Sequence, residues 1–153
     1  MNYSSISYPD VNNGLGWRVT LFVSGCSHRC VGCHNQETWD FDYGIKYTKE
    51  SQNELFDAIS KSYIKGLTLS GGDPIDNYDD VLQLVKDFRE KFGDSKDIWL
   101  YTGYLMEDLI SLGKEEILEY IDVIVDGEYD ESQRDITLDF RGSRNQRIIY
   151  LKE

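Results

Sequence analysis

The chain has 153 residues, of which 40% are hydrophobic, and its 28 acidic and 16 basic side chains give a formal charge of −12. This length favours a single domain, 1–153, and the acidity argues against nucleic acid or an anionic membrane surface as partners, since both bind basic proteins. Because no stretch approaches the roughly 20 apolar residues that span a bilayer, and the first ten residues are too polar for a signal peptide, we expect a cytoplasmic protein.

Strand and helix patterns alternate along the chain. The polar, turn-rich start predicts a loop or an edge piece over residues 1–15, and residues 17–23 predict the first strand. Residues 48–63 predict a helix with Thr48 as N-cap and an apolar stripe formed by Leu55, Phe56, Ile59 and Tyr63. The later predicted elements are a strand at 66–70, a helix at 77–92, a strand at 98–101, a helical stretch at 105–120 interrupted near Gly113, and strands at 121–125 and 148–151.

Alternating strands and helices imply a parallel sheet whose crossover connections are right-handed. A closed eightfold barrel needs about 250 residues, so this chain can form little more than half of one. We therefore predict an α/β fold, a single-domain partial (open) β/α barrel with a mostly parallel sheet of about five strands. The polar motifs that follow four of the strands would then meet on one rim, where such folds bind ligands.

All three cysteines of the chain lie within eight positions, directly after the first predicted strand. Cys26, Cys30 and Cys33 have the spacing C-x3-C-x2-C, and three cysteines cannot pair as disulfides without leaving one thiol over. Three thiolates on one short loop need a bound cation, and the pattern favours an iron–sulfur cluster with one iron open to a non-protein ligand. The alternative is a structural zinc site of the Cys3His type, completed by His34 or His28.

A second motif, Gly-Gly-Asp-Pro at residues 71–74, follows the strand predicted at 66–70. The two glycines would let the main chain approach a ligand closely, and Pro74 would rigidify the exit from the turn. Backbone carbonyls and the Asp73 carboxylate could then bind an ammonium group. A tight turn that serves only packing is the alternative, but the neighbouring cysteines favour the ligand-binding interpretation.

These motifs, in this order, resemble the radical S-adenosylmethionine superfamily. Within it, the chain is similar to the branch of activases that install a glycyl radical on anaerobic ribonucleoside-triphosphate reductase. The segments that carry the resemblance are 20–35, 69–74, 99–104, 125–128 and 142–146. The position before the last cysteine, often aromatic in the superfamily, is Gly32 here, so Trp39 or a main-chain contact would cover the adenine ring instead.

The resemblance implies a [4Fe–4S] cluster and S-adenosylmethionine as cofactors. Cys26, Cys30 and Cys33 would ligate three irons, and the amino and carboxylate groups of S-adenosylmethionine would bind the fourth. Among the residues expected at the cofactor, Asp126 could hydrogen-bond a ribose hydroxyl and His34 could contact the cofactor through its backbone. The full expected set is Gly32, Cys33, His34, Gly71, Gly72, Asp73, Pro74, Thr102 and Asp126. No catalytic residue beyond the cluster and the cofactor is expected.

The resemblance also implies protein partners. Reductive cleavage of S-adenosylmethionine would give methionine and a 5′-deoxyadenosyl radical, which would abstract a hydrogen atom from a glycine in the large subunit of the reductase. The electron would come from a reduced donor such as flavodoxin, for which His28 and Arg29 offer a local positive spot. Two other functions remain open: a small radical enzyme acting on a metabolite, and a non-enzymatic Cys3His zinc module.

Overall fold

The computed structural model describes residues 1–33 and 36–152. These residues form an α/β fold with one mixed sheet of seven strands and three α-helices. The strands are β1 (Asn2–Asp10), β2 (Arg18–Val23), β3 (Ile45–Lys46), β4 (Gly66–Gly71), β5 (Asp97–Tyr101), β6 (Val123–Asp126) and β7 (Arg147–Tyr150). The helices are α1 (Lys49–Ile59), α2 (Tyr78–Phe92) and α3 (Met106–Ser111). Within this described part of the chain, none of the helices combines the length and the apolar character that crossing a membrane requires.

The sheet is only partly parallel. Its strand order is β3-β1-β2-β4-β5-β6-β7. The four central strands, β2, β4, β5 and β6, are parallel, whereas β1, β3 and β7 pair antiparallel with their neighbours. The prediction of a mostly parallel sheet of about five strands is therefore wrong, and the partial barrel is not confirmed.

Two segments account for the difference. The polar start, predicted as a loop or an edge piece, forms the long strand β1, which pairs with β2 on one side and β3 on the other. Its polar side chains suit a strand close to the edge, where one face meets solvent. At the other end, residues 127–146 connect β6 to β7 with only a short 3-10 helix, Glu131–Gln133. A parallel return normally runs through an α-helix that packs on the sheet, and residues 127–146 contain none, which is consistent with the antiparallel direction of β7.

The main core lies between α1, α2 and one face of the sheet. Val19, Leu21 and Leu67 on the central strands are fully buried, and they pack with Leu55 of α1 and Phe88 of α2. The opposite face of the same strands carries larger and more polar buried groups, namely Arg18, Thr20, Thr68 and Trp99. Side chains alternate between the faces of a strand, so both faces are covered here, as expected for central parallel strands.

The helices follow the sequence patterns closely, with differences at their ends. The Thr48 hydroxyl accepts a hydrogen bond from the Ser51 amide at 3.3 Å, so the predicted N-cap of α1 is confirmed. That helix ends at Ile59, and Tyr63 lies beyond it with 55% of its surface exposed, so the predicted stripe is wrong at its last member. The stretch at 105–120 is interrupted as predicted, because Gly113 has a φ of +70° between α3 and a 3-10 helix.

Candidate functional site

The polar motifs after the four parallel strands line one pocket at the carboxyl ends of these strands. Parallel strands end at the same edge of a sheet, so the loops that follow them converge there. The cysteine loop follows β2, the Gly-Gly-Asp-Pro segment begins at the last residue of β4, and further loops follow β5 and β6. The pocket is lined by Cys26, His28, Cys30, Cys33, Thr38, Trp39, Ser70, Gly71, Gly72, Asp73, Tyr101, Thr102, Gly103, Val125, Gly127, Tyr129 and Gln146.

The three cysteines are free, half-buried thiols. Burial raises the pKa of Cys26 to about 11 and also raises the pKa of Cys30. The Cys26 and Cys30 thiols therefore carry their protons at neutral pH unless a bound cation displaces them, as metal ions do. The loop is anchored at its start, where the Gly25 amide donates to the Thr38 carbonyl at 2.6 Å.

The spacing of the sulfur atoms bears on the zinc alternative. In the described ranges, Cys26, His28 and Asp76 form a group whose ligand atoms all lie within 4.8 Å of one another, whereas the three cysteine sulfurs do not. A single tetrahedral zinc ion with Zn–S bonds of about 2.3 Å would bring three sulfurs to within about 4 Å of each other. The wider spacing of Cys26, Cys30 and Cys33 suits a cluster of several metal ions better. The other proposed zinc ligand, His34, lies outside the described residues.

The two glycines of the Gly-Gly-Asp-Pro segment pack directly against the cysteine loop. Gly71 has a φ of +107°, and a Cβ at this position would collide with the Val23 carbonyl. A Cβ at Gly72 would lie 2.5 Å from the Gly25 carbonyl oxygen and 2.7 Å from that of Thr38. The absence of side chains is thus required for packing, while the main chain of both glycines lines the pocket. Pro74, outside the pocket lining, begins the 3-10 helix Pro74–Asn77.

Asp73 is almost fully buried, and protein groups surround its carboxylate. Oδ1 accepts a hydrogen bond from the Ile75 amide at 2.9 Å, which caps the 3-10 helix. Oδ2 accepts from the Thr102 hydroxyl at 3.0 Å and from the Gly103 amide at 2.9 Å, and it lies 2.6 Å from Nε2 of His28. Three of these four contacts are on Oδ2 and one is on Oδ1, so protein groups occupy both lone pairs of Oδ2 and one lone pair of Oδ1.

His28 connects the cysteine loop to two other loops of the rim. Its side chain is only 7% exposed, and its Nδ1 lies 2.9 Å from Oε1 of Glu128 while Nε2 faces Asp73. The hydrogen bond to Asp73 is the main reason that the His28 pKa rises to about 9. The two carboxylates neutralise the positive charge of the protonated imidazole. The positive spot predicted at His28 and Arg29 therefore consists of Arg29, which is exposed. The sequence did not predict these contacts, which join residues 45 and 100 positions apart.

Asp126 is fully buried but does not line the pocket, unlike its neighbours Val125 and Gly127. Its Oδ1 accepts a hydrogen bond from Nε of Arg147 at 2.9 Å, and its Oδ2 accepts from the Met106 amide at 2.8 Å. A second bond from the Arg147 guanidinium reaches Oδ2. In the described structure, the carboxylate therefore joins β6, β7 and α3 rather than facing the pocket.

Gly32 and Trp39 differ in their relation to the pocket, because Gly32 is not among the lining residues whereas Trp39 is. A Cβ at Gly32 would approach the Glu131 carboxyl carbon to 2.7 Å, so this glycine packs against the loop after β6. Trp39 lines the pocket, with the Arg29 guanidinium 5.5 Å from its ring centre. The indole Nε1 of Trp39 is buried without a hydrogen-bond partner among residues 1–33 and 36–152. Such a donor is costly unless a ligand supplies an acceptor, so the pocket fits a bound polar group.

Comparison with known proteins agrees with the cysteine site. A family model described as a 4Fe-4S single cluster domain matches residues 12–149. The match covers the cysteine loop and all four parallel strands. The fold, the three cysteines on its rim and this match define an iron–sulfur protein with a single-cluster domain.

Relatives that match nearly the full length of the chain identify its family within this class. Three of these relatives are described here, and each is named anaerobic ribonucleoside-triphosphate reductase-activating protein. The protein of Enterobacteria phage T4 is 47% identical over 150 residues, which cover 97% of this chain and 93% of the relative. That of Vibrio cholerae serotype O1 is 47% identical over 152 residues, or 97% of each chain, and that of Escherichia coli K12 is 39% identical over 156 residues, or 99% and 100%. The chain belongs to the anaerobic ribonucleoside-triphosphate reductase-activating protein family.

Proposed function

We propose that this chain activates an anaerobic ribonucleoside-triphosphate reductase by generating a glycyl radical on its large subunit. The full-length relatives are named for activation of that reductase, and they match this chain over at least 97% of its length. The observation that carries the proposal is the meeting of three cysteines with the ends of four parallel strands at one pocket. The whole chain, 1–153, would act as one radical S-adenosylmethionine activase domain.

The cofactors of this proposal are a [4Fe–4S] cluster and S-adenosylmethionine. Cys26, Cys30 and Cys33 would bind the cluster, since they are the only cysteines of the chain and all three line the pocket. When bound, the reduced cluster would supply one electron for cleavage of S-adenosylmethionine to methionine and a 5′-deoxyadenosyl radical, and this radical would take a hydrogen atom from glycine. S-adenosylmethionine would lie beside the main chain of Gly71 and Gly72, which offers carbonyl groups without side chains in the way.

The residues of the chain would position these groups and exclude water. Trp39 has a buried, unpaired donor among the described residues, and it could bind and cover the polar part of the cofactor. Asp73 and His28 would hold the Gly-Gly-Asp-Pro segment, the cysteine loop and the loop after β5 at fixed separations. Thr102 would act in the same way, through its hydrogen bond to Asp73. Such positioning, together with exclusion of solvent, protects a reactive radical from side reactions.

Electrons would come from a reduced donor such as flavodoxin. Arg29 is the exposed cation of the cysteine loop, and its guanidinium stacks on Trp39 at the edge of the pocket. A positive group there, on a chain of net charge −12, offers an acidic donor a local site of attraction.

The test is an anaerobic assay with the reductase. Reconstituted protein should be brown, cleave S-adenosylmethionine to methionine when reduced, and produce a glycyl radical on the reductase that electron paramagnetic resonance detects. Methionine formation without a protein radical on any reductase tested would favour a metabolite substrate. A colourless, zinc-containing protein that does not bind S-adenosylmethionine would reject both radical functions.

A further inference from the structure

The carboxylate of Asp76 lies beside the first cysteine of the loop. Asp76 belongs to the 3-10 helix Pro74–Asn77, and one of its oxygens lies within 4.8 Å of the Cys26 sulfur. It is not among the residues that line the cysteine pocket, and none of the roles proposed above includes it. An acidic group so close to a cluster ligand therefore needs an explanation of its own.

Three donors hold this carboxylate in place. Oδ2 of Asp76 accepts hydrogen bonds from the Ser27 amide at 2.8 Å and from the Ser27 hydroxyl at 3.0 Å. Oδ1 accepts from the Tyr104 hydroxyl at 2.5 Å. An ionised carboxylate only accepts hydrogen bonds, so a set made up of donors fits the anion. The negative charge is thus fixed next to Cys26 instead of turning freely into solvent.

The charge of Asp76 is not neutralised by a cation of its own. Among residues 1–33 and 36–152, Asp76 forms no ion pair. A nitrogen of His28 lies within 4.8 Å of the Asp76 carboxylate, but this imidazole already faces Asp73 at 2.6 Å and Glu128 at 2.9 Å. One positive charge therefore faces three carboxylates on this side of the cysteine loop, and the excess charge is negative.

We propose that Asp76 lowers the reduction potential of the [4Fe–4S] cluster at the three cysteines, an inference that rests on the proposed function. On reduction the cluster would gain one electron from the reduced donor, and no bond would form or break. A fixed carboxylate beside a ligand sulfur repels the added negative charge, so reduction becomes less favourable and the potential falls. The reduced cluster is then a stronger reductant, which favours cleavage of the sulfonium.

The surroundings of Asp76 strengthen this effect relative to other charges of the region. Cys26 is half-buried, and solvent screens a charge near such a group less than it screens charges at an exposed site. Arg29 is exposed, so its attraction for the added electron is weakened by solvent. Asp76 acts through its charge and not as an iron ligand, because Ser27 and Tyr104 hold its two oxygens.

The experiment compares Asp76→Asn with Asp79→Asn. Both substitutions remove one negative charge, but Asp79 is exposed on the first turn of α2. Asparagine at position 76 can keep the contacts, because its oxygen accepts from Ser27 and its amide donates to the Tyr104 hydroxyl. The readout is the midpoint potential of the reconstituted cluster, titrated anaerobically without S-adenosylmethionine or reductase and followed by electron paramagnetic resonance. We expect Asp76→Asn to favour reduction about tenfold, a rise of about 59 mV, and Asp79→Asn to keep the wild-type potential.

Tyr104→Phe separates the charge of Asp76 from the geometry of the loop. It removes one hydrogen bond to the carboxylate but keeps the charge, so it should keep the wild-type potential. An unchanged potential in Asp76→Asn, or an equal rise in Asp79→Asn or Tyr104→Phe, would overturn the proposal.

Iron content is measured on the same samples. Loss of the cluster from Asp76→Asn would assign this residue to cluster assembly and would also overturn the proposal. A wild-type protein that assembles no cluster, or forms no glycyl radical on the reductase, would reject the proposed function itself. The titration needs neither cofactor cleavage nor the reductase, so the two failures are distinguishable.

Discussion

The imidazole of His28 is buried between two carboxylates, although it lies within a loop whose cysteines are half-exposed. Its contacts to Asp73 and Glu128 are 2.6 and 2.9 Å long, and its ring also packs edge-to-face on Tyr104 at 4.5 Å. Only a protonated imidazole can donate from both nitrogens, which is consistent with its raised pKa. A single side chain thereby connects three loops of the rim.

The metal-free protein should lose stability as this imidazole loses its proton. The His28 pKa rises from 6.5 to about 9 on folding, chiefly through Asp73. A raised pKa contributes stability that is complete below pH 6.5 and disappears as the pH rises through about 9. Urea unfolding of the wild type should therefore show a falling free energy of unfolding over this range.

His28→Gln should flatten that pH dependence and lower the free energy of unfolding at pH 6 by about 2 kcal/mol, since a hydrogen-bonded charged partner of Asp73 is removed. A slope that persists in His28→Gln would assign the titration to another group.

Each cysteine should be essential for the cluster but not for the fold. All three are half-buried and lie outside the apolar core, so Cys26→Ser, Cys30→Ser and Cys33→Ser should keep the wild-type far-ultraviolet circular dichroism. Each should lose iron content and visible absorption after anaerobic reconstitution, because the chain has no spare cysteine. Val31→Ala, at a position 77% exposed in the same loop, should reconstitute fully.

At the scale of elements, Arg147 joins the last strand to the rest of the sheet. Its guanidinium binds the fully buried Asp126 on β6 and the exposed Glu107 on α3. This one side chain therefore connects β7 with β6 and with α3, elements that are separated along the chain.

Arg147→Met should lower the free energy of unfolding by about 3 kcal/mol, because it leaves the Asp126 carboxylate buried without its charged partner. Glu107→Gln changes the exposed half of the same network and should lower the free energy of unfolding much less, because solvent screens an exposed ion pair. Chemical denaturation of both variants measures the difference. Equal losses would show that the burial of Asp126 does not determine the cost.

The packing of the Gly-Gly-Asp-Pro segment on the cysteine loop also belongs to this scale. Gly72→Ala would place a methyl group against two backbone carbonyls, so we expect a loss of about 3 kcal/mol in unfolding free energy together with reduced iron content. Gly113→Ala is the control, because its Cβ would meet nothing within 4 Å and only the backbone conformation is strained, at about 1 kcal/mol. Iron assay and denaturation on the same samples test whether stability and cluster content fall together.

For the whole molecule, the position of the cysteine pocket at one edge of a single open sheet determines how it can be closed. The loops that line it come from four strand ends, and the pocket lies at the carboxyl ends of these strands. We expect the reductase to complete the enclosure.

If the reductase closes the pocket, S-adenosylmethionine and the reductase should each strengthen the binding of the other by the same factor, as thermodynamic linkage requires. Anaerobic calorimetry of each ligand, with and without the other, measures both factors. Independent binding of the two would contradict closure by the partner.

The sequence by itself determined the central strands, the two long helices and the cysteine site. These features depend on local patterns: buried strands such as residues 66–70, the 3.6-residue period of α2, and three cysteines within eight positions. The order of motifs also identified the family. The residues of each motif are contiguous in the chain, so the motifs can be recognised without knowledge of the fold.

Only the tertiary structure decided the direction of the outer strands and the partners of the buried polar groups. The antiparallel pairing of β1 and β7 depends on connections and neighbours that local periodicity does not encode. For the same reason, Asp126 was expected at the cofactor but binds Arg147, 21 residues away, and His28 was expected at the surface but binds Asp73 and Glu128. A carboxylate's partner is set by which distant segments pack against it, and that information arises only when the chain has folded.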